Sequence, residues 1–313
     1  MRIVFMGTPE FAVPSLEAIL RSDNQVVGVV TQPDRPKGRG QQLVSSPVKL
    51  VAERTGIPIL QPLKIRTPEF LQALSAWQPD LIAVAAYGRI LPTPILRLPP
   101  MGCVNVHGSL LPKYRGAAPV QWAVINGETE TGITTMLMDE GMDTGAMLLQ
   151  EKLEISPEDT AGTLAPRLAE LGARLLLDTL MQLKAGTLTP KKQDDGQATL
   201  APILKKEDGL IDWTMSATVL ANRVRGLSPW PGAFTFFGEE RWNIWRAVSN
   251  VAAATDKPGT IVAVNKQTIM VSTGDGLLGI REIQTANSKR MSADQFLAGH
   301  RIPVGGQLGS SIA

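Results

Sequence analysis

Two polar side chains end a short apolar segment in the middle of the chain. In Cys103-Val-Asn105-Val-His107, alternation along a β-strand places Asn105 and His107 on one face and the two valines on the other. Positions two apart on a strand are separated by roughly 6.5–7 Å, so both side chains can converge on one small group. An amide and an imidazole in this arrangement form either a catalytic pair or the hydrogen-bonded end of a buried strand.

An acidic segment flanked by glycines favours the catalytic interpretation. Met138-Asp139-Glu140-Gly-Met-Asp143-Thr-Gly145 follows another apolar run, so a carboxylate can reach the same site. An Asp that accepts from one imidazole nitrogen fixes the tautomer and favours imidazolium, and an adjacent amide can stabilise developing negative charge. Asn105, His107 and Asp143 therefore suit acyl-type transfer through a tetrahedral oxyanion, with an incoming amine as the nucleophile.

A metal site is the competing interpretation of the same region. Its ligands would be His107, Asp139, Glu140 and Asp143, but zinc sites usually use more His or Cys ligands. The second of the two histidines, His300, lies far along the chain. We therefore expect no metal.

Composition limits the class of protein. A chain of 313 residues exceeds the usual size of one domain, so we expect two. A hydrophobic content of 43% and a net charge of +2 indicate an ordinary globular protein whose overall charge does not predict nucleic-acid binding. One cysteine, no signal-peptide pattern and no apolar run of membrane length predict a cytoplasmic protein without a membrane anchor. Nothing in the sequence demands more than a monomer.

The elements that position the site follow an α/β pattern. The nearly continuous apolar runs Arg2–Met6, Gln25–Thr31 and Asp80–Ala86 predict parallel strands covered on both faces. Amphipathic segments between them predict helices over Pro47–Arg54 and Pro68–Trp77. A further helix is expected to begin at Pro9 with Thr8 as its N-cap. Strand–helix alternation indicates a parallel sheet.

The next segments extend that sheet and then leave it. Gly132–Met138 and Ala146–Ile155 predict an added antiparallel pair of strands, and Thr160–Leu183 predicts a long helix despite Pro166 near its beginning. The stretch from Lys184 to Lys206 is rich in Gly, Pro, Thr, Lys, Asp and Gln and lacks periodic apolar spacing, which is typical of a linker.

The C-terminal part has a different pattern of predicted secondary structure. One helix is predicted, over Ala217–Gly226, and it is followed by short β-like runs separated by turns. Those runs are Ala233–Phe237, Trp242–Arg246, Gly259–Val264, Ile269–Ser272 and Leu277–Ile283. Their spacing indicates a small antiparallel barrel or sandwich.

Two glycine patterns bear on dinucleotide binding. The first predicted strand ends with Gly7 alone, where a dinucleotide fingerprint needs three glycines. The literal match at Gly274, Gly276 and Gly279 lies in the β-rich part with no helix after it, so we interpret it as a hairpin turn. Both observations disfavour a nicotinamide or flavin enzyme.

The strand-end signature carries a family resemblance. The chain resembles the 10-formyltetrahydrofolate-dependent formyltransferases, and the resemblance covers nearly all of it. It is carried by the segment Asn105-Val-His107-Gly-Ser109-Leu110-Leu111-Pro112 together with the downstream Asp143. The resemblance implies a Rossmann-like parallel-sheet formyltransferase domain over 1–189, a linker over 190–206 and a small OB-like β-barrel over 207–313 that binds tRNA. It also implies 10-formyltetrahydrofolate as the formyl donor.

Site residues follow from the same resemblance. It implies that Asn105, His107 and Asp143 form the catalytic trio and that Ser109, Leu110, Leu111 and Pro112 line the folate site. Arg89, Ile90 and Leu91 match the stretch whose backbone holds the pterin ring. Independently of that role, the apolar character of Ile90 and Leu91 predicts side chains packed in the core.

A basic loop after the second strand bears on the acceptor. It contains Arg35, Lys37, Arg39 and Lys49 against a single acid, Asp34. Most basic loops are simply solvated, but glycines beside Arg39 allow close approach to a phosphate chain, and long loops in compact domains are often functional. The resemblance favours function, because members that act on tRNA carry this loop to grip the acceptor end. The implied partner is charged initiator tRNA.

Other features are less specific. Lysines between Lys184 and Lys206 suit solubility or a phosphate track equally well. The tryptophans of the C-terminal part, which are Trp213, Trp230, Trp242 and Trp245, are expected in the core or at a domain interface. Two other functions remain open from sequence. One is formyl transfer to a small amine such as an amino sugar nucleotide, and the other is a non-catalytic RNA-binding or folate-sensing protein.

Overall fold

The Asn105–His107 segment lies in a sheet built from the first part of the chain. The computed structural model describes residues 1–37, 42–250, 252 and 256–309. The strands up to residue 154 are β1 (Arg2–Gly7), β2 (Gln25–Val30), β3 (Arg35–Lys37), β4 (Gln42–Val44), β5 (Ile59–Leu60), β6 (Leu81–Ala85), β7 (Cys103–His107), β8 (Glu130–Leu137) and β9 (Met147–Glu154). Seven of them form one sheet in the order β5-β2-β1-β6-β7-β8-β9.

Strand β7 marks the change of direction in this sheet. The strands from β5 to β7 pair in parallel, and β8 and β9 are added antiparallel to them. The three apolar runs predicted as buried strands and the predicted antiparallel pair are confirmed. The hairpin formed by β3 and β4 lies inside the basic loop and was not predicted.

Helices lie between these strands along the chain. They are α1 (Val13–Leu20), α2 (Pro47–Thr55), α3 (Pro68–Ala76), α4 (Thr93–Leu96), α5 (Pro119–Ile125) and α6 (Ala161–Ala185). Ser46 and Thr67 cap α2 and α3, each by accepting from a backbone N–H three residues on, and each is followed by a proline at the first helical position. The predicted cap at Thr8 is wrong, because a 3₁₀ turn over Glu10–Ala12 precedes α1 and has Pro9 at its N-cap.

One face of the sheet carries the site and the opposite face carries α6. Gly172 of α6 is buried against β7, and a Cβ added there would lie 2.7 Å from Val106 Cγ1. Seven residues on, Thr179 Oγ1 lies 2.8 Å from Thr135 Oγ1 of β8. Because strand residues alternate between faces, this packing secures Val106 while leaving Asn105 and His107 on the other side.

The C-terminal part forms a second sheet, which is antiparallel. Its elements are α7 (Ala217–Gly226), β10 (Ala233–Phe237), β11 (Glu240–Asn250), β12 (Ile261–Asn265), β13 (Thr268–Ser272), β14 (Leu277–Gln284), β15 (Met291–Ser292), α8 (Ala293–Gly299) and β16 (Leu308–Gly309). The strand order is β12-β13-β14-β11-β10-β16. Hydrogen bonds between Gly259 and Leu308 and between Ile261 and Gly306 connect the two ends of this order, so the sheet curls as predicted for a barrel.

The core of this sheet is aromatic. Trp242 is 1% exposed and packs edge-on against Phe296, with ring centroids 5.3 Å apart. Trp213 is also buried and donates to Thr235 Oγ1 at 3.0 Å. Trp230 is 51% exposed and is therefore not a core residue, while the alternative of a place at a domain interface stays a prediction. The glycine-rich match at 274–279 lies at the turn between β13 and β14, as predicted, whereas α8 was not predicted.

Residue contacts divide the chain into two units. One comprises Met1–Pro119, Glu130–Glu154 and Ala165–Pro202, and the other comprises Val120–Thr129, Ile155–Leu164 and the chain from Ile203 onward. The boundaries expected at 189 and 207 stay predictions. Among the described residues, no helix combines the length and apolarity needed to cross a membrane.

The contact between α6 and β7 yields a prediction for stability. Gly172→Val should lower the free energy of unfolding by about 2–3 kcal/mol, because the added methyls overpack the contact with Val106. Glu170→Val places the same side chain at an exposed position of the same helix and should cost only about 0.5 kcal/mol in helix propensity. Denaturant unfolding of both variants measures the difference, and equal stabilities would contradict the close approach of α6 to β7.

Candidate active site

The candidate site begins with two buried polar residues in the middle of the sheet. Asn105 is 9% exposed and His107 is 5% exposed. Asn105 is paired with Val84 of β6 on one side and with Met136 of β8 on the other. Held on both sides by backbone ladders, the end of β7 is a rigid platform for both side chains.

Both nitrogens of the His107 ring face protein oxygens. Nε2 lies 2.9 Å from the Tyr114 carbonyl oxygen, and Nδ1 lies 3.6 Å from Asp143 Oδ2. Because a carbonyl oxygen only accepts, Nε2 carries a proton. The Asp143 carboxylate then faces Nδ1, at the distance of an ion pair with a charged imidazole ring. The sequence-based expectation that Asp143 approaches one nitrogen agrees with this arrangement, but the Tyr114 contact was missed.

Asp143 is held by its backbone and by a neighbouring loop. Its φ of 55° lies in the left-handed region, which is uncommon for a residue other than glycine. Its Oδ2 accepts from the Gly116 N–H at 2.8 Å. Close by, a Cβ on Gly145 would lie 1.8 Å from the Leu137 carbonyl oxygen, so this turn accepts only glycine.

The Asn105 amide remains available to a ligand. Within the part of the chain that the structure describes, no protein group hydrogen-bonds to the Asn105 side chain. A buried amide without a protein partner is costly unless water or a ligand satisfies it. This amide can therefore donate to an oxygen that arrives with a substrate.

Cys103, on the same face of β7, is not suited to act as a nucleophile. Burial raises the pKa of its thiol to about 12, so the reactive thiolate is scarce at neutral pH. The thiol lies 3.7 Å from the Ile95 carbonyl oxygen in the core of the sheet. A covalent intermediate on this strand is therefore disfavoured.

The segment after β7 is fixed against the antiparallel strands. Ser109 is fully buried and donates to the Lys113 carbonyl oxygen at 2.6 Å. The Leu111 N–H donates to Thr134 Oγ1, and the Leu111 carbonyl oxygen accepts from Gln150. The folate-contact role predicted for Ser109, Leu110, Leu111 and Pro112 stays a prediction, and these contacts show that the Ser109 hydroxyl is already engaged within the protein.

A cleft of ≈ 540 Å³ opens beside the segment from Arg89 to Leu91. Ile90 and Leu91 line it together with residues 65–68 and Glu140 of the loop that carries Asp143. Leu91 is 2% exposed and belongs to the core, as expected. Ile90 is 57% exposed, so the expectation of a core side chain is wrong there, because this side chain forms part of the cleft wall.

Arg89 is anchored by hydrogen bonds to two neighbours. Its Nε and Nη2 donate to Gln32 Oε1 at 3.1 and 3.0 Å, and Nη1 donates to the Leu63 carbonyl oxygen at 2.8 Å. Gln32 in turn donates to the Tyr87 carbonyl oxygen at 3.1 Å. The guanidinium thus fixes the backbone that precedes Ile90.

The basic residues of the acceptor loop differ in their surroundings. Arg35 is exposed and makes no ion pair with any described residue. Lys49 Nζ lies 2.5 Å from Asp34 Oδ2 and has only 16% of its side chain exposed. The Lys49 hydrogen bond, assisted by one from Gln61, lowers the pKa of Asp34. Arg39 and the side chain of Lys37 lie outside the described residues.

A second cleft, of ≈ 650 Å³, lies next to this loop. It is formed at the carboxyl ends of β1, β2 and β6 and along the β3–β4 hairpin. Its walls include Arg35, Val44 and Leu50. In an α/β sheet this edge is where ligands bind.

Two of the acidic side chains considered as metal ligands accept hydrogen bonds from neighbouring protein groups. Asp139 Oδ1 accepts from the Gly141 N–H and from Thr144, and Glu140 accepts from Thr93. Among the described residues, no three His, Cys, Asp or Glu side chains are grouped to hold a metal ion.

The chain matches two family models. Residues 1–180 match the model described as "Formyl transferase", and residues 203–301 match "Formyl transferase, C-terminal domain". Among solved structures, the fold is similar to WlaRD, a sugar 3N-formyl transferase, with a TM-score of 0.65, 19% identity, and coverage of 92% of this chain and 99% of that one. HypX from Aquifex aeolicus gives a TM-score of 0.60 with 17% identity, over 95% of this chain and 47% of that one.

Curated relatives are much more similar in sequence. A protein named methionyl-tRNA formyltransferase from Desulfotalea psychrophila is 54% identical, over 96% of this chain and 94% of that protein. Another of the same name, from Citrifermentans bemidjiense, is 50% identical, over 100% of this chain and 98% of that protein. The chain therefore belongs to the formyl transferase family and, within it, to the methionyl-tRNA formyltransferases.

Proposed function

We propose that this chain transfers the formyl group of 10-formyltetrahydrofolate to the free α-amine of methionine esterified to initiator tRNA. The observation that carries the proposal is the grouping of Asn105, His107 and Asp143 at the end of β7, with an unpartnered amide beside a paired imidazole. Family membership supports both the donor and the acceptor.

The reaction is a formyl exchange between two nitrogens. The α-amine attacks the formyl carbon, a carbon–nitrogen bond forms and the carbonyl oxygen becomes an oxyanion. When the tetrahedral intermediate collapses, the bond to N10 of the folate breaks. The attacking amine loses one proton and N10 gains one, so the exchange involves no net change in protons.

Asn105 and His107 stabilise the oxyanion in different ways. The Asn105 amide donates a hydrogen bond, because it has no other partner among the described residues. His107 contributes the positive charge of its imidazolium from the same strand face. The Oδ2 atom of Asp143 lies 3.6 Å from Nδ1 and is placed to pair with that charge.

The cleft beside Ile90 and Leu91 is the place we assign to the folate. Its apolar walls suit aromatic rings, and Arg66 on the same wall suits the carboxylates of the folate glutamate. The Arg89-to-Leu91 backbone, anchored through Gln32, offers N–H and C=O groups to the pterin. Ser109, Leu110, Leu111 and Pro112 complete the donor side from the end of β7.

The cleft beside the β3–β4 hairpin is the place we assign to the acceptor end. Arg35 on its wall is free to contact phosphate, and Arg39 and Lys37 are predicted to do the same. Lys49 contributes indirectly, because its ion pair with Asp34 holds the start of the basic loop in place. The C-terminal barrel supports the tRNA stem, and the enzyme works as a single chain in the cytoplasm, where charged tRNA is available.

A competition assay tests the choice of acceptor. With 10-formyltetrahydrofolate as donor, methionyl initiator tRNA should be formylated, while free methionine and amino sugar nucleotides should remain unmodified. Mass spectrometry of the aminoacyl product and of the small amines measures both outcomes. Formylation of a small amine alone would contradict the proposal, and the absence of any turnover would favour a binding protein.

Substitutions at the strand end test the catalytic trio. Asn105→Asp keeps the size of the side chain but replaces the donor with a negative charge, so kcat should fall by about 10²–10³. His107→Ala should cut kcat by a similar factor, with folate affinity changed much less. Cys103→Ala on the same strand is the control and should retain kcat within about twofold, since its thiol has a pKa of about 12. Near-normal kcat in both site variants would refute the assignment.

Substitution of Arg35 tests the acceptor cleft. Arg35→Ala should raise KM for charged tRNA and reduce its salt dependence, because one phosphate contact is lost, while KM for the folate stays unchanged. Arg21→Ala removes an equally exposed arginine that is bound to Glu17 at the end of α1 and serves as the control. A change in folate KM without a change for tRNA would mean that the two clefts have been exchanged.

A further inference from the structure

The segment that follows α6 contacts both groups that face the His107 ring. Lys191 exchanges two backbone hydrogen bonds of 2.8 Å with Met147 at the start of β9. Arg115 exchanges backbone hydrogen bonds with Thr199 and Ala201. Residues 191–201, which we call the strap, therefore join the loop after β7 to the loop between β8 and β9.

Gln193 is the buried polar side chain of the strap. It is 4% exposed, and its Nε2 donates to the carbonyl oxygens of Asp143 and Gly145, both at 2.8 Å. Its Oε1 accepts from Arg115 Nε at 2.9 Å. Both amide protons are used on the two backbone carbonyls that flank Thr144, so the side chain acts as a clamp on the Asp143 turn.

The clamp acts where the backbone conformation needs support. A residue other than glycine in the left-handed region persists only when its surroundings over-determine it, and Asp143 has a φ of 55°. Fixing the Asp143 carbonyl fixes the orientation of that peptide and hence the direction of the side chain. The carboxylate is thereby directed to the Gly116 N–H and to His107 Nδ1.

Thr199 does the same for the other loop. Its Oγ1 accepts from the Tyr114 N–H at 2.8 Å, and its carbonyl oxygen accepts from the Arg115 N–H at 2.8 Å. This loop supplies the Tyr114 carbonyl oxygen to His107 Nε2. The strap therefore holds the partners of both ring nitrogens.

We infer that Gln193 is a positioning residue for formyl transfer, which holds the Asp143 carboxylate against His107, and that Thr199 assists it from the other side of the ring. Neither residue touches the imidazole. The inference rests on the proposed roles of His107 and Asp143 in the reaction.

Substitution of Gln193 tests the inference through turnover and its pH dependence. Gln193→Ala should lower kcat about tenfold, while KM for folate and for tRNA stays within about twofold, because only the reacting centre is displaced. A carboxylate that has moved away stabilises the imidazolium less. The alkaline limb of the kcat–pH profile should therefore move to lower pH, a change that mere loss of stability would not produce.

An isosteric change separates the hydrogen bonds from packing. Gln193→Glu keeps the shape but turns an acceptor toward the two carbonyl oxygens, so it should lose at least as much kcat as the alanine variant. Gln197→Glu makes the same change four residues on. Gln197 is exposed, and among the described residues its side chain hydrogen-bonds only to Asp194, so this variant should behave like the wild type. Thr199→Val should shift the profile in the same direction by a smaller amount.

Asp143→Ala, measured alongside, separates this inference from the proposed function. If Asp143→Ala is severely impaired while Gln193→Ala and Gln193→Glu match the wild type in kcat and pH profile, the positioning role is refuted and the catalytic trio stands. If Asp143→Ala itself retains normal turnover, the catalytic trio is refuted.

Discussion

The structure depends on the burial of one ionisable ring between two fixed oxygens. His107 is 5% exposed, and a charged imidazole at such a position is expensive unless each N–H meets an acceptor. The Tyr114 carbonyl oxygen and the Asp143 carboxylate provide those acceptors. Neither lies on β7 itself, so two separate loops have to be held at fixed positions around the strand end. Much of the surrounding architecture can be understood as the means of holding them.

The topology of the sheet makes this arrangement possible. On one side of β7 the parallel strand β6 ends in the turn that leads to Arg89 and Ile90, and on the other side the antiparallel hairpin of β8 and β9 presents the loop with Asp143. A wholly parallel sheet would have placed a helix crossover, instead of a short hairpin loop, next to the end of β7. The change of strand direction at β7 therefore places the segment from Arg89 to Leu91 and the Asp143 carboxylate on opposite sides of one strand end.

The sequence was informative where a local pattern determines the structure. Continuous apolar runs identified the buried strands, and proline after Ser46 and Thr67 identified helix starts. The spacing of Asn105 and His107 correctly placed both side chains at the buried end of one strand, while their catalytic role stays a prediction. Contacts made by backbone atoms could not be predicted from the sequence, because the identity of Tyr114 or Gly116 does not determine the direction of its carbonyl or N–H group. The segment around Gln193 lacked apolar periodicity, and its tertiary hydrogen bonds, which no local pattern records, give it a fixed place in the first unit.

Exposure also separates residues that look equivalent in the sequence. Lys49 and Arg35 come from the same basic segment of the sequence, but the structure places Lys49 in the first turn of α2 and Arg35 in β3. Lys49 is paired with Asp34, and Arg35 forms no ion pair within the described chain. Hydrogen bonds from Gln61 then continue from Asp34 to the Gln32 carbonyl oxygen, and the Gln32 side chain holds Arg89. Polar contacts thus run from the base of the acceptor loop to the segment assigned to the pterin. Gln32 lies on the wall of the second cleft, and Arg89 directly precedes Ile90 on the wall of the first. Hydrogen bonds between Gln32 and Arg89 therefore connect residues at the two clefts, which have no lining residue in common among those described.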